Sequence, residues 1–136
     1  MRMIRILRIG FTLFFLGAGS YHFINPDLYI GLIPDYIPNP NLVNSLSGAL
    51  EILFAFLALS DKTRKVAGYG AMLLLLAFIP AHIYFIQIGS CLPNGICVPE
   101  WLSYVRLYLI HPLLIGWAWL IKTDIYEPEE EVVYPK

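Results

Sequence analysis

The sequence predicts an all-α fold: a bundle of four transmembrane helices, both termini inside, with a proline-rich outer segment between helices 1 and 2. Three observations carry this. Hydrophobic residues make up 58% of the 136 residues and charged residues only 14%, against about 45–50% and about 25% in an average soluble domain. Mean hydropathy is +0.66, and so short a chain lacks the interior to hide that much apolar side chain. The charges also fall in clumps, separated by apolar runs of roughly 20 residues, the length a helix needs to cross a bilayer core. This composition excludes a disordered chain, which needs low hydrophobicity and high charge. A net charge of −1 offers no basic surface to nucleic acid.

The first span covers residues 9–24 after Arg2, Arg5 and Arg8, and extends to residues 4–24 if the helix starts within that basic stretch. Its basic start and Ala18-Gly19-Ser20 resemble a signal peptide, but the apolar run is long for one and reads as a retained span. Asn25-Pro26-Asp27 ends it. Residues 25–41 hold Pro26, Pro34, Pro38 and Pro40 and cannot form one helix. They read as short turns at the interface or against the bundle. The second span covers residues 42–59, the third 66–88 and the fourth 101–121, with a polar turn at 61–65. Residues 1–121 thus form one domain, and residues 122–136 an acidic, flexible cytoplasmic tail.

Six of the nine Lys and Arg lie in the N-terminal stretch and the 61–65 turn, and none lies in the two opposite loops. The positive-inside rule therefore puts both termini in the cytoplasm. Tyr21, Tyr29, Tyr36 and Trp101 fall where an outer aromatic belt would sit. The compartment is a bacterial inner membrane on this reading, with the lipid bilayer as the first partner and a protein partner or homo-oligomer as a further one.

Cys91 and Cys97 lie in the second outer loop with five residues between them. An oxidising compartment permits a disulfide there, contributing roughly 2–2.5 kcal/mol for so short a loop. The spacing is not the Cys-x-x-Cys that activates a thiol, and two thiols are half a zinc site.

Five ionisable residues fall within the spans: His22, Glu51, His82, Arg106 and His111. Each costs roughly 2.5–3.5 kcal/mol at mid-span on the insertion scale, so their presence asks for a reason. At about 1.5 Å of rise per residue, all five lie between the bilayer centre and its outer face. Glu51 and Arg106 come to similar depth with opposite charge and are expected to face each other, directly or through water. Ser47, Gly48, Glu51, Ala55 and Ala58 form a small-residue packing stripe, and Gly10 and Gly17 are expected to allow close approach on the first span. Pro80 and Pro112 free the carbonyls of Leu76 and Tyr108. The Phe11, Phe14, Phe15 and Leu73–Leu76 runs read as lipid-facing or packing residues. No two histidines have the i, i+4 spacing of a metal site, so no metal is expected. Phosphate loops, His-Glu-x-x-His and nucleophile elbows are absent from the sequence. Two readings of the cluster stay open. One is a polar network that pins helix packing. The other is an outer-half site for a quinone-like headgroup, a lipid headgroup or a proton.

Gly19-Ser20-Tyr21-His22-Phe23-Ile24-Asn25-Pro26, then Ile33-Pro34-Asp35-Tyr36-Ile37-Pro38, Ser47-Gly48-Ala49-Leu50-Glu51-Ile52, Phe78-Ile79-Pro80-Ala81-His82 and Val105-Arg106-Leu107 occur in this order. The series resembles the DoxX-like family of small four-helix membrane proteins over about residues 5–121. The resemblance implies a small membrane subunit of a quinone-linked oxidoreductase system, with catalysis shared with a partner rather than carried alone. It also implies recurrent positions at His22, Glu51, Pro80, His82 and Arg106. The fourth helix departs, with Tyr108, Ile110 and His111 where that family often has Pro and Gln. On the redox reading Glu51 and Arg106 orient a headgroup, and His22 or His82 exchanges protons. A non-catalytic scaffold or assembly factor is the alternative.

Overall fold

The computed structural model describes residues 2–93 and 96–123; the tail expected to be flexible lies outside them beyond Thr123. Helix α1 runs Arg2–Ile24, α2 Pro26–Ile30, α3 Pro40–Leu57, α4 Arg64–Gln87, α5 Glu100–Val105 and α6 His111–Lys122, with a π-helical turn Arg106–Ile110 joining the last two. No strand occurs among the described residues, only an isolated bridge between Cys91 and Cys97.

Proline and asparagine set the boundaries. Pro26 and Pro40 occupy first-turn positions of α2 and α3, where the missing N–H costs nothing. Asn39, just before Pro40, takes a left-handed φ of 55°, which Asn tolerates better than most residues. The second span therefore starts two residues earlier than hydropathy alone places it, and it ends at Leu57 rather than 59.

Four stretches are long and apolar enough to cross a membrane: Met3–Ile24, Pro40–Leu57, Arg64–Gln87 and Glu100–Lys122. Only 17–33% of each is buried within the molecule. Leu13, Leu73 and Leu113 are each more than 60% exposed. Apolar surface on that scale is not left to water. The molecule is an integral membrane protein whose outer surface is dressed for lipid.

The helices pack as two hairpins, α1 on α3 and α4 on α6, joined through α3–α4 and α1–α6 contacts. In the first hairpin Gly19 meets Gly48. A Cβ on Gly48 would lie 2.6 Å from the His22 Cβ and 2.8 Å from the Gly19 carbonyl oxygen. Gly17, expected to permit close approach, faces open space instead, because α1 turns its Gly19 face to α3. The core of Phe11, Phe15, Ala55, Ala58, Ala67, Ala71, Leu75, Ala118 and Ile121 fills the half of the bundle nearer Arg5 and the 61–65 turn. Of the phenylalanine run, Phe11 and Phe15 are core and Phe14 is exposed.

Two arginines finish helix ends at this basic end. Arg8 of α1 donates from Nε to the Ala58 carbonyl at 2.8 Å, and its terminal nitrogens bond the Leu59 carbonyl and the Asp61 carboxylate. Arg64 of α4 donates to the carbonyls of Ile121 at 3.2 Å and Thr123 at 2.7 Å. Each satisfies carbonyls that a helix C-terminus leaves open. At the opposite end, Leu32, Phe85 and Leu92 form a small second core. A Cys91–Cys97 disulfide and a 2.7 Å bond from Ser103 Oγ to Ser90 Oγ tie that loop down.

Candidate functional site

Between the two cores lies a cavity of about 310 Å³, within the range of small-molecule sites, about 300–1,000 Å³. His22, Glu51, His82, Arg106 and His111 all line it. Phe15, Leu75 and Phe78 line it from the helices, and Tyr29, Leu32 and Pro34 of the proline-rich segment add to its wall.

The first hairpin builds one wall. His22 Nδ1 lies 2.8 Å from Asn44 Oδ1, and Asn44 Nδ2 donates to the His22 carbonyl at 3.0 Å. The second bond orients the amide, so its oxygen accepts and His22 carries a hydrogen on Nδ1. His22 Nε2 is thereby turned to Glu51 Oε2, 3.5 Å away. Both side chains are buried, and Glu51 Oε2 has no hydrogen-bond partner among the described residues. A bare carboxylate would face the Nε2 lone pair, so one proton belongs between them. The Tyr29 ring stacks on His22, centroids 3.5 Å apart. Tyr29 is thus a cavity residue, not the belt residue expected; Tyr21, Tyr36 and Trp101 are exposed. Burial, then the Glu51 charge, raises the Tyr29 phenol above its ordinary value, with Arg106 pulling the other way.

The second hairpin builds the opposite wall. His111 Nε2 lies 2.7 Å from the Leu75 carbonyl oxygen, which can only accept. In neutral His111 that leaves Nδ1 as an acceptor, and His82 Nε2, 3.1 Å away, donates to it. Leu75 precedes Leu76, whose carbonyl loses its helical donor to Pro80.

Arg106 reaches this wall through a change of helix type. Five residues of α-helix would turn it about 140° away from His111. The π-turn closes an i→i+5 bond, the His111 N–H donating to the Arg106 carbonyl, so both residues come onto the cavity. Glu51 and Arg106 line the same cavity, as expected, but no direct bond joins them among the described residues. Glu51 faces His22 of its own hairpin, and Arg106 has no hydrogen bond or ion pair among the described residues. Of the lining residues, Phe14, Arg106 and Ile110 have exposed side chains. They belong to α1 and the π-turn, so the cavity opens sideways between the first and fourth spans.

Sequence reasoning missed Asn44 and Tyr29. Asn44 was within reach, one turn before Ser47 and Gly48 on the stripe that carries Glu51. Among the described residues no three His, Cys, Asp or Glu side chains gather as a metal set.

Fold and site together define a four-helix integral membrane protein with a polar-walled cavity that opens to the side. The chain belongs to the family described as a domain of unknown function (DUF8561), which matches residues 11–122. No curated protein and no solved structure matches it.

Proposed function

We propose that this protein is a small membrane subunit that holds the headgroup of a bilayer-soluble amphiphile in its side-opening cavity. The carrying observation is that His22, Glu51, His82, Arg106 and His111, drawn from all four spans, converge on one 310 Å³ space, although each is costly in a membrane. The lateral mouth lets a hydrocarbon tail stay in lipid while the headgroup enters. The DoxX-like resemblance supplies the redox version, in which a quinone is the occupant, His22 and His82 exchange protons, and a partner oxidoreductase or a second copy completes the system. The positive-inside rule supports both termini in the cytoplasm of a bacterial inner membrane, with the cavity in the outer half.

The test is to purify the protein in mild detergent, extract it with organic solvent and identify retained lipid-soluble molecules, for wild type and Glu51→Gln. A stoichiometric amphiphile in wild type, reduced in Glu51→Gln, is expected. No retained amphiphile in either sample would overturn the proposal.

One observation favours a second reading, a scaffold whose polar groups only fix packing: the bonded pairs each join the two helices of a single hairpin. On that reading Glu51→Gln with Arg106→Met leaves partner binding unchanged.

A further inference from the structure

Charge balance inside the cavity says what kind of headgroup it takes. His22 holds its Nδ1 hydrogen against Asn44, and its Nε2 faces Glu51 Oε2 at 3.5 Å, so a proton shared by those two atoms relieves the clash of a ring lone pair with a bare carboxylate. Whichever atom that proton rides on, the pair sums to zero, either neutral ring and neutral acid or imidazolium and carboxylate. The His82–His111 pair completes its bonds to each other and to the Leu75 carbonyl with both rings neutral. An extra proton there would make the cavity more positive, not less. Tyr29, its ionisation disfavoured by burial, adds no negative charge.

Arg106 is what remains. It is a permanent cation with five donors and no acceptor. It lines the cavity at the mouth, and among the described residues none forms a hydrogen bond or ion pair with it. The other lining is mainly apolar, including Phe14, Phe78, Ile110 and Leu114. A bidentate oxygen anion fits a guanidinium fork, and a hydrocarbon chain fits the mouth and the lipid beyond it.

We infer that the cavity binds an amphiphile whose headgroup is an oxygen anion, a carboxylate or a phosphate ester, placed against the Arg106 guanidinium. This rests on the amphiphile reading of the cavity but not on the redox one, since an oxidised quinone is neutral and would leave Arg106 unmatched.

The experiment uses the full chain in a neutral maltoside detergent. Retention of radiolabelled palmitate is competed with unlabelled palmitate, hexadecyl phosphate, hexadecanol or a decyl-benzoquinone. The anions are expected to compete about tenfold better than the alcohol and the quinone, as one charge-assisted bond predicts. Palmitate against hexadecyl phosphate separates the two anion sources. Arg106→Gln should bring anion and alcohol within about twofold of each other, while Arg106→Lys keeps part of the preference; the wild-type ranking decides even if the Gln variant does not fold. Alcohol or quinone competing as well as palmitate on wild type would overturn the anion inference and leave the cavity reading standing. No specific retention of palmitate by wild type would likewise overturn the anion inference, and the solvent extraction above then decides the cavity reading.

Discussion

The backbone N–H of His111 donates to the carbonyl of Arg106, five residues earlier. That one bond puts a guanidinium and an imidazole on the same side of the fourth span. Pro112, at the next position, has no N–H to continue an α-helical ladder through Tyr108. The π-turn therefore sits where the α-ladder is already broken, as such turns often do at functional sites.

The Asn44 amide serves both the ring and the backbone of His22, so its loss orphans two buried polar groups. Asn44→Ala is expected to destabilise the protein by about 1–3 kcal/mol. Ser45→Ala, at an exposed neighbour, should stay within about 0.5 kcal/mol. Thermal unfolding in mild detergent compares the two.

Two glycines should respond in opposite directions. Gly48→Ala forces a Cβ to within 2.6 Å of His22 and 2.8 Å of the Gly19 carbonyl, and overpacking of this kind costs about 1–3 kcal/mol. Gly17→Ala meets nothing within 4 Å and should stabilise by about 0.4–1 kcal/mol through the unfolded chain. Unfolding midpoints of the two variants read the difference.

Arg8 acts through carbonyls more than through its ion pair. Its side chain is 11% exposed and that of Asp61 is 85% exposed. Arg8→Leu, which strips donors from the Ala58 and Leu59 carbonyls, should cost about 1–3 kcal/mol. Asp61→Asn should cost about 0–1 kcal/mol, the worth of a solvent-screened pair. Equal losses in an unfolding assay would contradict this division.

Tyr29 predicts an alkaline limb. Its phenol ionises at higher pH in the fold than in the unfolded chain. Between those two values the unfolded state has lost the proton and the folded state keeps it, so stability falls as pH rises. The contribution is whole below about pH 10, the unfolded value, and is lost above it. Tyr29→Phe should flatten the fall in stability that wild type shows above about pH 10, measured by unfolding on either side of that pH.

The four spans, the packing stripe and the gathering of the five ionisable residues at one level of the bundle were legible because hydropathy, residue size and helical rise are local properties. Partner choice was not. Equal depth and opposite charge argued for a direct Glu51–Arg106 bond, but depth says nothing of azimuth, and the bonds the cavity histidines form run within hairpins. The π-turn was hidden because α-helical geometry was assumed through Pro112. Tyr29 looked like a belt residue by position alone; only the fold of residues 25–39 turns its ring onto His22.

Arg8 and Arg64 each lie on the first helix of a hairpin and seal the second. Each half of the molecule thus carries its own latch. The two rims therefore close independently, each by bonds from its own hairpin. The two halves meet along a seam, and the hollow lies in that seam.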